Sequence, residues 1–193
     1  MDRVIFYKYI NKKIVRGKKE LIFHNFDENY YDIKDGKVRI GIKNADYKKF
    51  KILNKKIKDK FDIIDMRLSL RYGFENEFAR KELFNFAKQH LIKYGDIYCF
   101  INNEEEIIEQ SKNTDVINKG DQIWIPKSET HEIIVKNNKK EDKEEKQYSI
   151  NMDTFKEELF NMGLRIIKEY SLNKMNKNKD INYIGEYIIQ IKE

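Results

Sequence analysis

MRLSLRYGFENEFARKELFNFAKQHLIKYG, residues 66–95, is the stretch from which the rest of the chain takes its place. From Asn76 onward, Ala79, Leu83, Phe86, Ala87, His90 and Tyr94 recur on one face of a 3.6-residue period, and Gly95 reads as the C′ residue that ends a helix. Upstream, Asp46 is a good N-cap, and Phe50, Leu53, Ile57, Phe61, Ile64 and Leu68 step by three or four. The spacing predicts a first helix from Tyr47 to about Arg71, a break at Gly73, and a second helix to Gly95. A competing period exists, because Ile64, Met66, Leu68, Leu70, Tyr72 and Phe74 alternate with polar residues as a half-buried strand does. The helical reading gives a central helical hairpin.

On the N-terminal side, residues 4–10, 13–16 and 21–26 carry the β-branched and aromatic content of short strands. Asp35-Gly36 is a type I′ turn pair that fixes a hairpin register: Lys34 opposite Lys37, Ile33 opposite Val38, Asp32 opposite Arg39, Tyr31 opposite Ile40 and Tyr30 opposite Gly41. Period-two alternation then puts Tyr31, Ile33, Val38, Ile40 and Ile42 on one face and Tyr30, Asp32, Lys34, Lys37, Arg39 and Lys43 on the other.

On the C-terminal side, strands are expected at 97–101, 115–118, 122–126 and 131–136, with a short acidic helix or loop at 104–111. The charged run 137–147 reads as an exposed hairpin tip or loop. Thr154-Phe155-Lys156-Glu157 forms a capping box, opening a helix through Phe155, Leu159, Met162, Ile166 and Tyr170. Residues 183–192 read as a closing strand. The expected fold is therefore α+β: an N-terminal antiparallel β-meander, a central helical hairpin, and a second β-rich part with one long helix and a closing strand. A soft division at Gly95 gives units 1–95 and 96–193.

A chain of 193 residues with 40% apolar content buries a core without disulfide staples. Its one cysteine, Cys99, lies in an apolar run and reads as a buried inert thiol. No apolar run approaches the roughly 18 residues needed to span a bilayer, so the reading is a cytoplasmic protein with no membrane contact. The excess of 32 lysines over 7 arginines is the mark of AT-rich coding. The distribution of charge says more than the total. Residues 1–60 hold 18 Lys or Arg against 8 Asp or Glu, a net of +10, and residues 61–193 hold 21 against 25, a net of −4.

Phosphate-loop, dinucleotide-binding, paired-cysteine zinc and serine-hydrolase signatures are absent. His24, His90 and His131 lie far apart, and His90 reads as a satisfied residue on a helix face. No cofactor and no metal is expected. Asp32-Ile33-Lys34 matches an acid-x-Lys fragment of nucleases, although the hairpin already accounts for both polar residues. Gly120, Pro126 and His131, in GDQIWIPKSETH (residues 120–131), resemble the second conserved motif of cupins, with Ser128 where a glycine is usual. That resemblance implies a metal-ligand role for His131. The plainer reading is a Gly-Asp turn into a strand and a Pro-led turn out of it.

The remaining signal is the basic N-terminal region. Lys8, Lys12, Lys13, Arg16, Tyr30, Lys37, Arg39 and Lys43 interleave cationic and aromatic groups, which suits nucleic acid or an acidic protein surface. The sequence alone thus predicts a non-catalytic binding protein of an AT-rich bacterium or its phage, acting on nucleic acid or on a nucleic-acid-handling protein in defence or counter-defence. A small nuclease toxin or a cupin-like metalloprotein is the alternative.

Overall fold

The computed structural model describes residues 20–24, 31–34, 37–41, 54–55, 57–67, 74–112, 115–119, 121–127, 129–137, 140–171 and 184–192. The first strands are β1 (Glu20–His24), β2 (Tyr31–Lys34), β3 (Lys37–Gly41) and β4 (Phe61–Asp65). Helix α1 (Glu77–His90) leads straight into the long β5 (Leu91–Asn103), which runs into α2 (Glu104–Ser111). An antiparallel meander follows, formed by β6 (Ile117–Lys119), β7 (Gln122–Lys127), β8 (Glu132–Asn137) and β9 (Lys140–Ile150). Helix α3 (Met152–Asn161), β10 (Leu164–Ser171) and β11 (Ile184–Ile191) complete the chain.

The central sheet runs β2-β3-β1-β4-β5-β11-β10. Strands β3, β1, β4 and β5 are mutually parallel. β11 is antiparallel to both β5 and β10, so β10 again points along β5. The meander is anchored where the end of β9 pairs in parallel with Asn102 and Asn103, beyond the end of β4. It therefore stands at the carboxyl edge of the parallel strands.

Residue chemistry accounts for this arrangement. β4, FDIID, is a central parallel strand with Phe61, Ile63, Ile64 and Asp65 all buried, as expected where both faces are covered. In α1, Asn76 caps the first turn by accepting the Ala79 N–H at 2.9 Å. The helix buries Ala79, Leu83, Phe84, Phe86 and Ala87 against the sheet, and Phe86 meets Phe23 of β1 edge-on at 5.9 Å. α3 lies on the same face: Phe155 contacts Phe74 at 5.5 Å and Phe84 at 5.6 Å. Full burial of each such ring is worth about 1.5–3 kcal/mol. The two helices are further joined by a bidentate Arg80–Glu158 ion pair at 2.6 and 2.8 Å, and by Lys88, which donates to the Met162 carbonyl at 2.7 Å. A separate small core of Ile107, Ile117, Trp124, Ile133 and Val135 holds α2 to the meander.

Several expectations are corrected. The N-terminal sheet is not an antiparallel meander, because β1 pairs in parallel with β3 and β4. The central helical hairpin does not form: Asn54 and Lys55 are helical, but Phe61–Asp65 is strand β4. Phe61 and Ile64 in FDIID also fit the helical stripe, and burial between two neighbouring strands decides for the strand. α1 ends at His90, and Gly95 lies inside β5. Its missing side chain lets β4 and β5 approach, since a Cβ there would come within 2.9 Å of the Asp62 carbonyl. The long C-terminal helix stops at Asn161; Gly163, with φ +71, turns the chain, and Ile166 and Tyr170 belong to β10. The cap of α3 is Asn151, which accepts from the N–H groups of Asp153 and Thr154. Most of the charged run 137–147 is strand β9.

Other expectations match. The hairpin register from Tyr31–Ile40 to Lys34–Lys37 is the observed pairing of β2 with β3. α2 and the short strands of the meander lie within a residue or two of their expected places. Strand β11 occupies the expected closing position. The strands expected at 4–10 and 13–16 fall outside the described residues. The main core draws on Leu21 and Phe23 at one end of the chain and Tyr187 and Ile189 at the other. No helix among the described residues is long and apolar enough to cross a membrane.

Candidate functional site

The chain passes from β1 to β3 on one side and from β4 to β5 on the other, so the sheet order reverses between β1 and β4. In open α/β sheets the crevice outside the carboxyl ends of the strands at such a reversal is where ligands bind. Here that edge is formed by His24 at the end of β1, Asp65-Met66-Arg67 leaving β4, and Asn102-Asn103 at the end of β5. The last β4–β5 contact is the Met66 N–H to the Tyr98 carbonyl at 2.8 Å.

Asp65 and Arg67 form a buried ion pair. Arg67 donates from Nε to Oδ1 at 2.9 Å and from an Nη to Oδ2 at 2.6 Å, and its backbone N–H reaches Oδ1 at 3.1 Å. The two side chains are 5% and 3% exposed, so the pair is desolvated and survives on this full set of hydrogen bonds. The Arg67 guanidinium also sits 5.3 Å from the Tyr98 ring centroid.

Further along the edge, the buried Asn102 donates from Nδ2 to the Tyr148 carbonyl at 3.1 Å and to Gln147 Oε1 at 3.4 Å. Its Oδ1 is buried and accepts no hydrogen bond among the described residues. Tyr148 packs against the main core. Burial pushes its phenol above the usual range, with the Glu75 and Glu132 carboxylates adding to the effect, so it stays protonated at neutral pH. Glu104, at the start of α2, takes His131 Nδ1 as its partner. The His131 carbonyl in turn accepts from Ser149, from its N–H at 2.9 Å and from its hydroxyl at 3.3 Å. This fastens the β7–β8 turn to the corner after β5, with His131 itself at φ 55.

The sequence-derived candidates are distributed differently. Lys37 and Arg39 lie in β3, inside the sheet between β1 and β2. Lys8, Lys12, Lys13, Arg16, Tyr30 and Lys43 fall outside the described residues. Asp32 and Lys34 are hairpin positions of β2 in register with Arg39 and Lys37. The metal role that the cupin resemblance implies for His131 has no ligand set, since no cluster of three His, Cys, Asp or Glu forms among the described residues. His90 lies at the far end of α1, with Nδ1 3.2 Å from the Asp59 carbonyl and Nε2 2.7 Å from Asn54 Oδ1. Cys99 is buried. The residues that sequence reasoning missed are Asp65, Arg67, Asn102, Gln147 and Tyr148.

No protein-family profile and no curated protein sequence matches this chain. Solved structures do share its fold. The CcbJ methyltransferase from Streptomyces caelestis superposes with a TM-score of 0.62 at 7% identity, over 97% of this chain and 88% of that one. A putative S-adenosylmethionine-dependent methyltransferase from Listeria monocytogenes gives 0.60 at 8% identity, over 100% of both chains. An S-adenosylmethionine-dependent methyltransferase from Clostridium acetobutylicum gives 0.55 at 12%, over 99% and 90%. These likenesses replace the expected α+β class with a Rossmann-like α/β fold built on a mostly parallel sheet. They also overturn the reading of a non-catalytic binding protein of defence or counter-defence, because these neighbours, along nearly the whole chain, are named as methyltransferases.

Proposed function

We propose that this chain serves a methyl-transfer reaction drawing on S-adenosylmethionine, with the methyl acceptor seated at the carboxyl edge of β4 and β5 beside the meander. The observation that carries the reading is the strand order: parallel β3-β1-β4-β5, closed by the reversed β11 between β5 and β10, in a chain whose whole length superposes on methyltransferases. The acceptor side is where this chain offers usable chemistry. Asn102 presents a buried carbonyl oxygen with unused accepting capacity, and Tyr148 supplies a phenol that stays protonated. Such groups orient a polar acceptor and stabilise it without themselves ionising.

The donor side fits less well. In doubly wound sheets the turn after the first strand is glycine-rich and opens a helix whose backbone N–H groups face the ligand. Here residues 25–30, NFDENY, contain no glycine and lead directly into β2. The chain's residues do not reproduce that cradle, and no step of the reaction is assigned to it.

The test is transfer of tritiated methyl groups from S-adenosylmethionine into protein, nucleic-acid and small-molecule pools, in extracts of cells expressing the chain with the products of its neighbouring genes. Label that appears only with the chain, and falls at least about tenfold with Tyr148→Phe or Asn102→Ala, is the expected result; losing one hydrogen bond at the reacting centre has effects of this order. Equal labelling with and without the chain in every pool removes the reading.

A further inference from the structure

We propose that the groove between α3 and the edge strand β10 docks an extended acidic segment of another protein, which joins the sheet as a strand beyond β10. This goes beyond the methyl-transfer reading and stands apart from it, since β10 lies two strands away from β5 at the end of the central sheet. Three observations point the same way.

The first is the open edge. β10 pairs with β11 on one side and with no other strand among the described residues. The outer main chain from Arg165 to Glu169 therefore offers N–H and C=O groups to an added strand, and a ladder of backbone hydrogen bonds supplies its affinity.

The second is the groove itself. It has a volume of about 430 Å³ and is lined by Lys156 and Phe160, one turn apart on α3, and by residues 164–169 of β10. Phe155 and Leu159 take up the buried face of the helix, which leaves Phe160 59% exposed. A β-bulge between Ile166 and Lys168 puts the extra residue, Ile167, into the lining. An incoming strand meets both a backbone edge and two apolar side chains, Phe160 and Ile167, against which to set an anchor of its own.

The third is charge. Lys156, Arg165 and Lys168 line the groove and are exposed, and Lys192 stands beside them with its ammonium 3.5 Å from the Phe160 ring centroid. Glu169 is the one carboxylate of the lining, and it accepts from the Tyr187 hydroxyl at 3.2 Å; Asp153 lies 3.7 Å from Lys156. Four cations against these two carboxylates leave a positive excess that an acidic segment complements. The same cations work against pairing of β10 with β10 of a second copy, because like charges would face each other across the seam. Nucleic acid fits less well. The Phe160 face that Lys192 covers is closed to a stacking base, and a nucleic-acid backbone forms no β ladder with β10.

The experiment is selection of a displayed library of random peptides on the purified chain, followed by fluorescence anisotropy with the synthetic winners and by hydrogen exchange of the chain with and without them. The expected result is enrichment of peptides in which Asp or Glu alternates with apolar residues, and slowed exchange at the β10 amides when one is bound. Arg165→Glu with Lys168→Glu is expected to weaken such a peptide at least about tenfold, and so is Phe160→Ala alone, in chains whose circular dichroism matches the parent. A mixed-sequence single-stranded oligonucleotide is the polyanion control and is expected to leave the bound peptide in place. Selection that yields no acidic peptides, an affinity unchanged in folded Phe160→Ala, or exchange slowed elsewhere but not in β10 overturns the inference. So does an oligonucleotide that displaces the peptide with the same residue dependence, which would make the groove a nucleic-acid site. None of these outcomes bears on the methyl-transfer reading, because no transfer is measured.

Discussion

Replacing Arg80 with Met tests the joint that holds α1 and α3 over the core side of the sheet. Arg80 makes two hydrogen bonds to Glu158, at 2.8 and 2.6 Å, and a third from an Nη to the Phe74 carbonyl at 3.3 Å. The two side chains are 12% and 9% exposed, so removing the guanidinium leaves a mostly buried carboxylate without its partner. Breaking a buried pair from one side costs about 3–5 kcal/mol, and residual solvent access here argues for the lower end, about 3 kcal/mol. For a domain of this size that corresponds to a Tm lower by roughly 6–12 °C. Urea unfolding followed by circular dichroism should show a reduced midpoint with an unchanged slope. The double variant Arg80→Met with Glu158→Leu removes both charges and should recover to within about 1 kcal/mol of the parent, because an apolar pair of similar volume replaces a desolvated ionic one. A single variant costing under about 1 kcal/mol, or a double variant no better than the single, refutes the reasoning.

Gly95→Ala forces a Cβ to 2.7 Å from Leu91 Cδ1 and 2.9 Å from the Asp62 carbonyl, so it should destabilise by about 1–3 kcal/mol in the same urea assay; a neutral result would mean that β4 and β5 separate more easily than the register implies. Burial is the main cause holding the His90 pKa below its ordinary 6.5, only partly offset by its bond to the Asp59 carbonyl. The unfolded chain therefore takes up more protons than the folded one as pH falls through 6.5. The His90 contribution is fully present above that pH and is lost progressively below it, and Tm measured from pH 8 to pH 5 should decline less steeply in His90→Gln. Tyr148→Phe should lower methyl transfer while moving Tm by no more than a few degrees, since the ring that packs on the core is retained; an equal loss of stability would make the phenol structural.

Local chemistry determined much of this protein by itself. The Asp35-Gly36 pair in the sequence predicted the observed β2–β3 register, the apolar spacing from Ala79 to His90 made α1, and the short strands around Trp124 were legible from turn residues and alternation. These features depend on neighbours a few residues away, which is the range over which dihedral preference and side-chain period act. What lay beyond that range was decided by the tertiary structure. Phe61–Asp65 fits a helical stripe and a strand equally, and it is a strand because β1 and β5 flank it on either side. Residues 164–171 continue the period of α3 on paper, yet Gly163 takes a left-handed turn and β11 offers a ladder of hydrogen bonds. The candidate site was the least legible part. Asp65 and Arg67 stand two residues apart, but Asn102 and Tyr148 come from strands 46 residues apart in sequence, brought together only where β9 joins the end of β5. A parallel sheet is assembled from such distant pairings, and no local period in the chain records them.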